Sequence, residues 1–241
     1  MPPIDPKNAP AHKTTIMNPI GQSGTKNLLC HCESMNIYQE HFFQNEVQQR
    51  FYRFTTDCYL FVLDGQAFLQ NQNQECTIKP NQGVWLEAES NNKLVPLSNQ
   101  LNCLLVKVRG APLDTPFNEY MRVQSTGTAN KSLTASNNNQ WVLSEHPNVK
   151  IEVELLPEQH NEPLHYHRFA QQFIVSLTDT ITITQPERET TLSPKEGLLI
   201  LAKSKHKIVN NNAHSAQILN VYSPRAKHDK VLVLGKKHTP T

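Results

Sequence analysis

No stretch of this 241-residue chain comes near the roughly 18 consecutive apolar residues that a membrane span requires. Residues 1–26 hold five prolines, few large apolar side chains and no continuous hydrophobic segment of the kind a signal peptide needs. The expectation is a soluble, cytoplasmic protein without a membrane partner. Charge is also scarce: Asp, Glu, Lys and Arg make up 18% of the residues, and 23 basic against 21 acidic side chains leave a net charge of +2. Such a balance gives no reason to expect nucleic acid or an anionic surface as a partner. All five cysteines fall between Cys30 and Cys103, and an odd count in a cytoplasmic chain argues for free thiols over a disulfide framework. Cys30-His31-Cys32 looks like a metal fragment, but no second ligand pair at a zinc-like spacing accompanies it. Two strand thiols are the expected reading.

What the chain does have is a succession of short apolar runs broken by polar or turn-forming clusters, which suits β-strands better than helices. Tyr59 to Gly65 reads as a strand ending in a turn, with Gln66 to Leu69 as its hairpin partner. Val149 to Leu155 alternates as a strand, and Phe173 to Leu177, Thr180 to Thr184, Gly197 to Leu201 and Gln217 to Tyr222 follow. The pattern lapses between residues 110 and 140, where Pro112, Pro116 and small polar residues predict a linker with a short helix around Asn118 to Val123.

The two flanking regions resemble each other. Sliding the chain by 114 residues puts Gly83 on Gly197, Ala88 on Ala202, Ser90 on Ser204, Lys93 on Lys207 and Val95 on Val209. In the same register Tyr52 falls on Tyr166, Leu63 on Leu177, Thr77 on Thr191, Pro80 on Pro194 and Leu104-Leu105 on Ile218-Leu219. A register that persists this far predicts a duplicated domain. The expected organisation is a flexible N-terminal arm (1–26), a first domain (27–109), a linker (110–140) and a second domain (141–241), each domain of roughly 100 residues and able to bury a core.

Chemistry concentrates in the second copy. In Pro163-Leu164-His165-Tyr166-His167 an extended backbone sends His165 and His167 to one face. His206 from a later strand and an oxygen from Gln171 or Gln172 would complete a nitrogen-rich set suited to a first-row divalent metal. Opposite His165, His167, Gln172 and His206 the first copy carries Phe51, Arg53, Cys58 and Asn92, so one site per chain is expected.

The spacing H-x-H, four residues, Gln172, six residues, Asp179 resembles the first motif of the cupin superfamily. That motif runs Gly, five residues, His-x-His, three or four residues, Glu, six residues, Gly. Gln159 stands at the first Gly, Gln172 at the Glu and Asp179 at the last Gly. The second motif is matched in part by Pro194 to Gly197 and by His206-x-x-x-Asn210, with a gap between Gly197 and His206 about two residues shorter than usual. The resemblance implies an all-β chain of two tandem cupin-type jelly-roll β-barrels, the first degenerate, with metal held by His165, His167, Gln172 and His206. Motif spacing selects Gln172 as the fourth ligand, whereas strand parity shared with Phe173, Val175 and Leu177 selects Gln171; Gln172 is preferred.

Cupins with Gln in place of the usual Glu include enzymes that convert unsaturated uronates and some polyketide cyclases. The resemblance therefore implies a metalloenzyme acting on a small oxygenated, anionic or sugar-like metabolite, by isomerase, lyase or dioxygenase chemistry. The residues do not distinguish Fe, Mn, Ni or Zn and assign no catalytic acid or base. The alternative is a non-catalytic binding or sensing cupin, akin to the sugar-sensing barrels of AraC-type regulators. The residues after Tyr222 are too few for the helix-turn-helix domain such regulators carry. His160, His214 and Tyr222 are further polar candidates near the pocket; Lys205 and Lys207 are expected to point away from it. Cupins commonly pair through their outer strands, which implies either a homodimer or a compact monomer whose two barrels pack like one.

Overall fold

The computed structural model describes residues 13–14, 25–45, 48–109, 117–226 and 228–233. Every regular element among them is a β-strand, and the strands build two tandem jelly-roll barrels. The first barrel sets a five-stranded sheet (Thr25–His31, Met35–Phe43, Gln100–Val108, Cys58–Asp64, Gly83–Leu86, in spatial order) over a four-stranded one (Arg50–Tyr52, Asn92–Pro96, Ala67–Gln70, Glu75–Ile78). The second barrel repeats the plan. Its large sheet runs Lys13–Thr14, Gly197–Ile200, Gln171–Ser176, Ala216–Ser223, Val149–Leu156, Asn139–His146 and Lys131–Leu133. Its small sheet runs His160–Asn161, Lys207–Asn210, Ile181–Gln185 and Arg188–Leu192, and a two-stranded pair joins His165–His167 to Lys230–Leu232.

Strand pairing carries the repeat. Phe61 pairs with Gly83 as Val175 pairs with Gly197, and Leu69 with Leu94 as Ile183 with Ile208, both at the offset of 114. The glycines recur for a reason of space: a Cβ on Gly83 would overlap the Tyr59 ring, and one on Gly197 would overlap the ring of Phe173, the repeat partner of Tyr59. The last strand departs from the expected register. Leu104 pairs with Phe61 whereas Leu219, not Ile218, pairs with Val175, so the offset there is 115 and Leu104 corresponds to Leu219. The connection into that strand is one residue longer in the second half, and a one-residue slip moves every side chain to the other face.

Cys58–Asp64 and Gln171–Ser176 are buried on both faces. One face points into its own barrel and the other packs against the sister barrel, so these strands read as continuous runs and not as alternation. Three cores result. One fills the first barrel around Leu60, Val62, Leu69 and Leu105, and one fills part of the second around Ile174, Ile183, Leu198 and Ile208. The third joins the barrels, with Ile37, Tyr59, Phe61, Trp85 and Val106 meeting Val149, Ile151, Val153, Phe173 and Val221. At its rim Trp85 stacks on His146 with ring centroids 4.6 Å apart and donates its Nε1–H to Ser144 Oγ at 2.6 Å. Asp57 accepts hydrogen bonds from Tyr120 Oη at 3.0 Å and His146 Nε2 at 3.3 Å.

Two stretches differ from expectation. Residues 117–126 form no helix; Met121 N donates to the Trp85 carbonyl, and Gly83 and Gln124 exchange backbone hydrogen bonds, so the segment lies along the first barrel. Further on, Lys131–Leu133 pairs with Asn139–His146 in the second barrel's sheet. Residues 110–116 lie outside the described residues. Within the segment expected as a flexible arm, Lys13–Thr14 pairs antiparallel with Gly197–Ile200 and covers an otherwise open strand edge.

Candidate metal centre

The strand His165–His167 turns both imidazoles inward as alternation requires, and a bridge between His165 and His206 brings in the third. One ring nitrogen from each of the three lies within 4.8 Å of the others. All three residues are buried, at 1%, 6% and 0% exposure. No other group of this kind occurs among the described residues.

The partners on the far side of each ring fix its tautomer. His165 Nδ1 faces the Pro163 carbonyl at 3.1 Å, His206 Nδ1 the Ser204 carbonyl at 3.0 Å and His167 Nδ1 the Asp229 carboxylate at 3.2 Å. All three partners are acceptors, so the N–H of each neutral ring sits at Nδ1 and its Nε2 lone pair is directed toward the cluster. Burial pushes His165 down to about 2 and His206 down to about 4, and it lowers His167 as well, so the rings are neutral at physiological pH.

Gln172 completes the arrangement. Its Nε2 donates to Asn220 Oδ1 at 3.0 Å and to Tyr222 Oη at 3.2 Å, which leaves Oε1 facing His206 Nε2 at 3.0 Å. An oxygen lone pair thus meets a nitrogen lone pair, while His167 Nε2 is buried without any hydrogen-bond partner. Convergent lone pairs with no donor among them suit a cation. Three imidazole nitrogens and an amide oxygen are a donor set that fits a divalent first-row metal. The parity expectation for Gln171 is corrected here. Phe173 and Val175 face the sister barrel, so the residue sharing the interior face with Ile174 is Gln172.

A polar layer surrounds the imidazoles. Asp229 takes backbone N–H groups from Phe169 at 2.7 Å and Ala170 at 3.2 Å, which holds the carboxylate against His167. Glu162 accepts from Ile208 N at 3.2 Å and pairs with Lys230. Glu154 accepts from Asn138 Nδ2 at 2.8 Å and lies 3.4 Å from Asn220 Nδ2; burial raises its carboxyl to about 7, against the lowering effect of Asn138. His160 reaches this layer through Asn138, at 3.1 Å. Tyr222 is also part of it, and burial raises its phenol well above the ordinary range.

His214 is not: it is exposed and paired with Asp179 at 2.9 Å. Lys207 points outward to Asn161 at 3.0 Å, as expected, and Lys205 is exposed. Asn210, the last residue of the second motif, donates to the carbonyls of Pro157 and His214 and ties two loops together. At the corresponding positions of the first barrel, Phe51 is exposed, Arg53 pairs with Glu89 at 3.1 Å, Cys58 is buried and Asn92 donates to the Ser90 carbonyl.

Asp229, Asn220, Glu154 and Asn138 were not anticipated from sequence. The one available signal was the acidic face of the strand Val149–Leu156, which points into the barrel.

No family model matches the sequence, and no curated protein does. Solved structures do match, at low identity and over most of both chains. A putative glyoxylate-induced protein from Pseudomonas aeruginosa aligns with a TM-score of 0.69 at 10% identity, covering 89% of this chain and 84% of that one. A cupin 2 conserved barrel domain protein from Leptotrichia buccalis gives 0.64 at 9%, covering 86% and 92%. The fold is that of the cupin barrels. Oxalate decarboxylase from Bacillus subtilis, in a structure concerned with its Mn(II) centres, aligns with a TM-score of 0.60 at 8% identity, over 87% of this chain and 74% of that one.

Proposed function

We propose that this is a two-barrel metalloprotein whose second barrel holds one divalent ion through His165, His167, His206 and Gln172 and acts on a small oxygenated, anionic or sugar-like metabolite. In this reading the first barrel is a degenerate copy without metal, and the protein is an enzyme of the isomerase or lyase type. The observation that carries the reading is the convergence of three buried Nε2 lone pairs and one amide oxygen with no proton donor among them. The Mn(II) centres of a similarly folded decarboxylase agree with it.

A bound ion would supply a Lewis acid for negative charge on a substrate oxygen. All four ligands are neutral, so its charge would be undiminished and an anionic substrate favoured. The protein's own contribution is positional. Asn220 and Tyr222 take the Gln172 amide hydrogens and so aim Oε1, while Asp229 and two backbone carbonyls lock the imidazole tautomers. Glu154, with its carboxyl near neutrality, and Tyr222 hold protons on the same interior wall.

Elemental analysis of the purified protein tests the site. One divalent ion per chain is expected, most of it lost in His165→Ala, and more firmly retained in Gln172→Glu because a carboxylate adds an anionic ligand. Absence of metal uptake, or full occupancy in His165→Ala, would overturn the assignment. Stoichiometric metal with ligand binding and no turnover would favour the binding-module reading instead.

A further inference from the structure

The first barrel opens into a cleft of about 500 Å³ whose lining includes Lys26, Arg50, Arg53, Lys107, Phe51 and Glu40. It occupies the end of the barrel that holds the imidazoles in the second copy. Phe51 and Arg53 stand at the repeat positions of His165 and His167, and Lys107 pairs with Cys58 as Tyr222 pairs with Gln172. Four cationic side chains thus meet a single carboxylate.

Two of those cations are already matched, Lys26 by Glu40 at 3.1 Å and Arg53 by Glu89 at 3.1 Å. The other two are not: among the described residues no carboxylate lies within ion-pair distance of Arg50 or Lys107. The Lys107 ammonium instead sits over the rings of Phe54, 4.6 Å from the centroid, and Tyr38, 5.3 Å away. Unneutralised cations in an open, aromatic-walled cleft favour an anion. At the floor Glu40 is only 1% exposed. Its Oε2 accepts from Tyr52 Oη at 2.5 Å, and its Oε1 is held by the Lys26 ammonium at 3.1 Å. The one carboxylate of the cleft is therefore spent within the protein, and the two unmatched cations are left to a ligand.

We propose that this cleft binds a small organic carboxylate, such as a sugar acid. Its carboxylate meets Arg50 and Lys107, and its carbon chain lies against Phe51 and Phe54. The volume falls in the range of small-molecule sites. The inference does not depend on metal in the second barrel. The duplicated fold would then carry two sites of different chemistry, one built on lone pairs and one on cations.

Titration calorimetry of the intact chain with gluconate, sorbitol and inorganic phosphate tests this, run in parallel on His165→Ala, which disables only the second barrel's site. Gluconate is expected to bind in both proteins, with sorbitol and phosphate at least tenfold weaker. Lys107→Met and, independently, Arg50→Met are each expected to weaken gluconate at least tenfold while leaving metal content unchanged. Failure of gluconate to bind His165→Ala overturns the proposal. So does phosphate binding as tight as gluconate, or unaltered gluconate affinity in both the Lys107 and Arg50 variants.

Discussion

Glu40 and Glu154 occupy the same interior position of the two barrels, related by the repeat, and their surroundings have diverged. Glu40 is met by the Lys26 ammonium and the Tyr52 hydroxyl. Glu154 is met by the amides of Asn138 and Asn220, has Glu152 and Glu162 nearby, and holds its proton to about pH 7. A few inward-facing positions account for the contrast. Phe51, Arg53 and Asn92 in one copy, against His165, His167 and His206 in the other, separate a cationic cleft from an imidazole cluster on an unchanged framework. Backbone pairing fixes where a side chain is presented, and the side chains alone set the chemistry.

The largest way to disturb this symmetry is at the face the barrels share. Trp85 is fully buried there, stacked on His146 and bonded to Ser144, whereas its repeat partner Leu199 is only partly buried. Trp85→Ala is expected to cost about 3–5 kcal/mol in chemical denaturation and Leu199→Ala under about 2 kcal/mol. Equal costs would mean that the two barrels contribute alike to their junction.

The next effect separates the barrels by pH. His165 and His206, at about 2 and about 4, lie below the ~6.5 of an unfolded histidine, so the folded state binds fewer protons in that interval. Unfolding free energy therefore rises with pH up to about 6.5. His167, His160 and His41 shift in the same direction. Glu154, raised from 4.5 to about 7, has the opposite sign, and its contribution is lost as pH rises through that window. The histidines outnumber it across this range, because an unfolded imidazole of pKa ~6.5 is still half protonated at that pH, and Glu154 only makes the rise shallower. The melting temperature of metal-free protein should climb by several degrees from pH 4.5 to 6.5 and then level off toward pH 7. The rise should be steeper in Glu154→Gln. A flat profile below pH 6.5 would refute the buried neutral cluster.

The smallest effect concerns the ion pair that bridges the two barrels, Lys195 with Asp64 at 3.0 Å, whose side chains are 39% and 54% exposed. Lys195→Ala should change stability by no more than ~0.5 kcal/mol, as is usual for solvated pairs. A larger loss would show that the exposed edge helps to hold the barrels together.

Much of this was legible in the sequence because duplication writes itself twice. The offset that matched Gly83 to Gly197 also matched their strand pairing, and two histidines at alternate positions of a strand had to share a face. What misled was the sense of inside and outside. The apolar side of Val149–Leu156 reads as the side facing its own barrel, yet Val149, Ile151 and Val153 pack on the sister barrel while Glu152 and Glu154 turn inward. The same inversion made Gln171 look like the inward glutamine. Periodicity shows that a strand has two faces without saying which is the interior when a second barrel covers the apolar one. Asp229 gave no signal at all, being a single carboxylate far along the chain from the histidine it orients.

That distance has a consequence for the order of assembly. The strand bearing His165 and His167 is paired with Lys230–Leu232, and Asp229 holds both the loop after His167 and the His167 ring itself. A nascent chain that has emerged through residue 223 already contains every imidazole and the glutamine, but neither the strand that fixes two of those imidazoles nor the carboxylate that sets one tautomer. The cluster reaches its final form only when this later segment folds back, so the chemical competence of the second barrel waits on residues some sixty positions downstream of the histidines they fix.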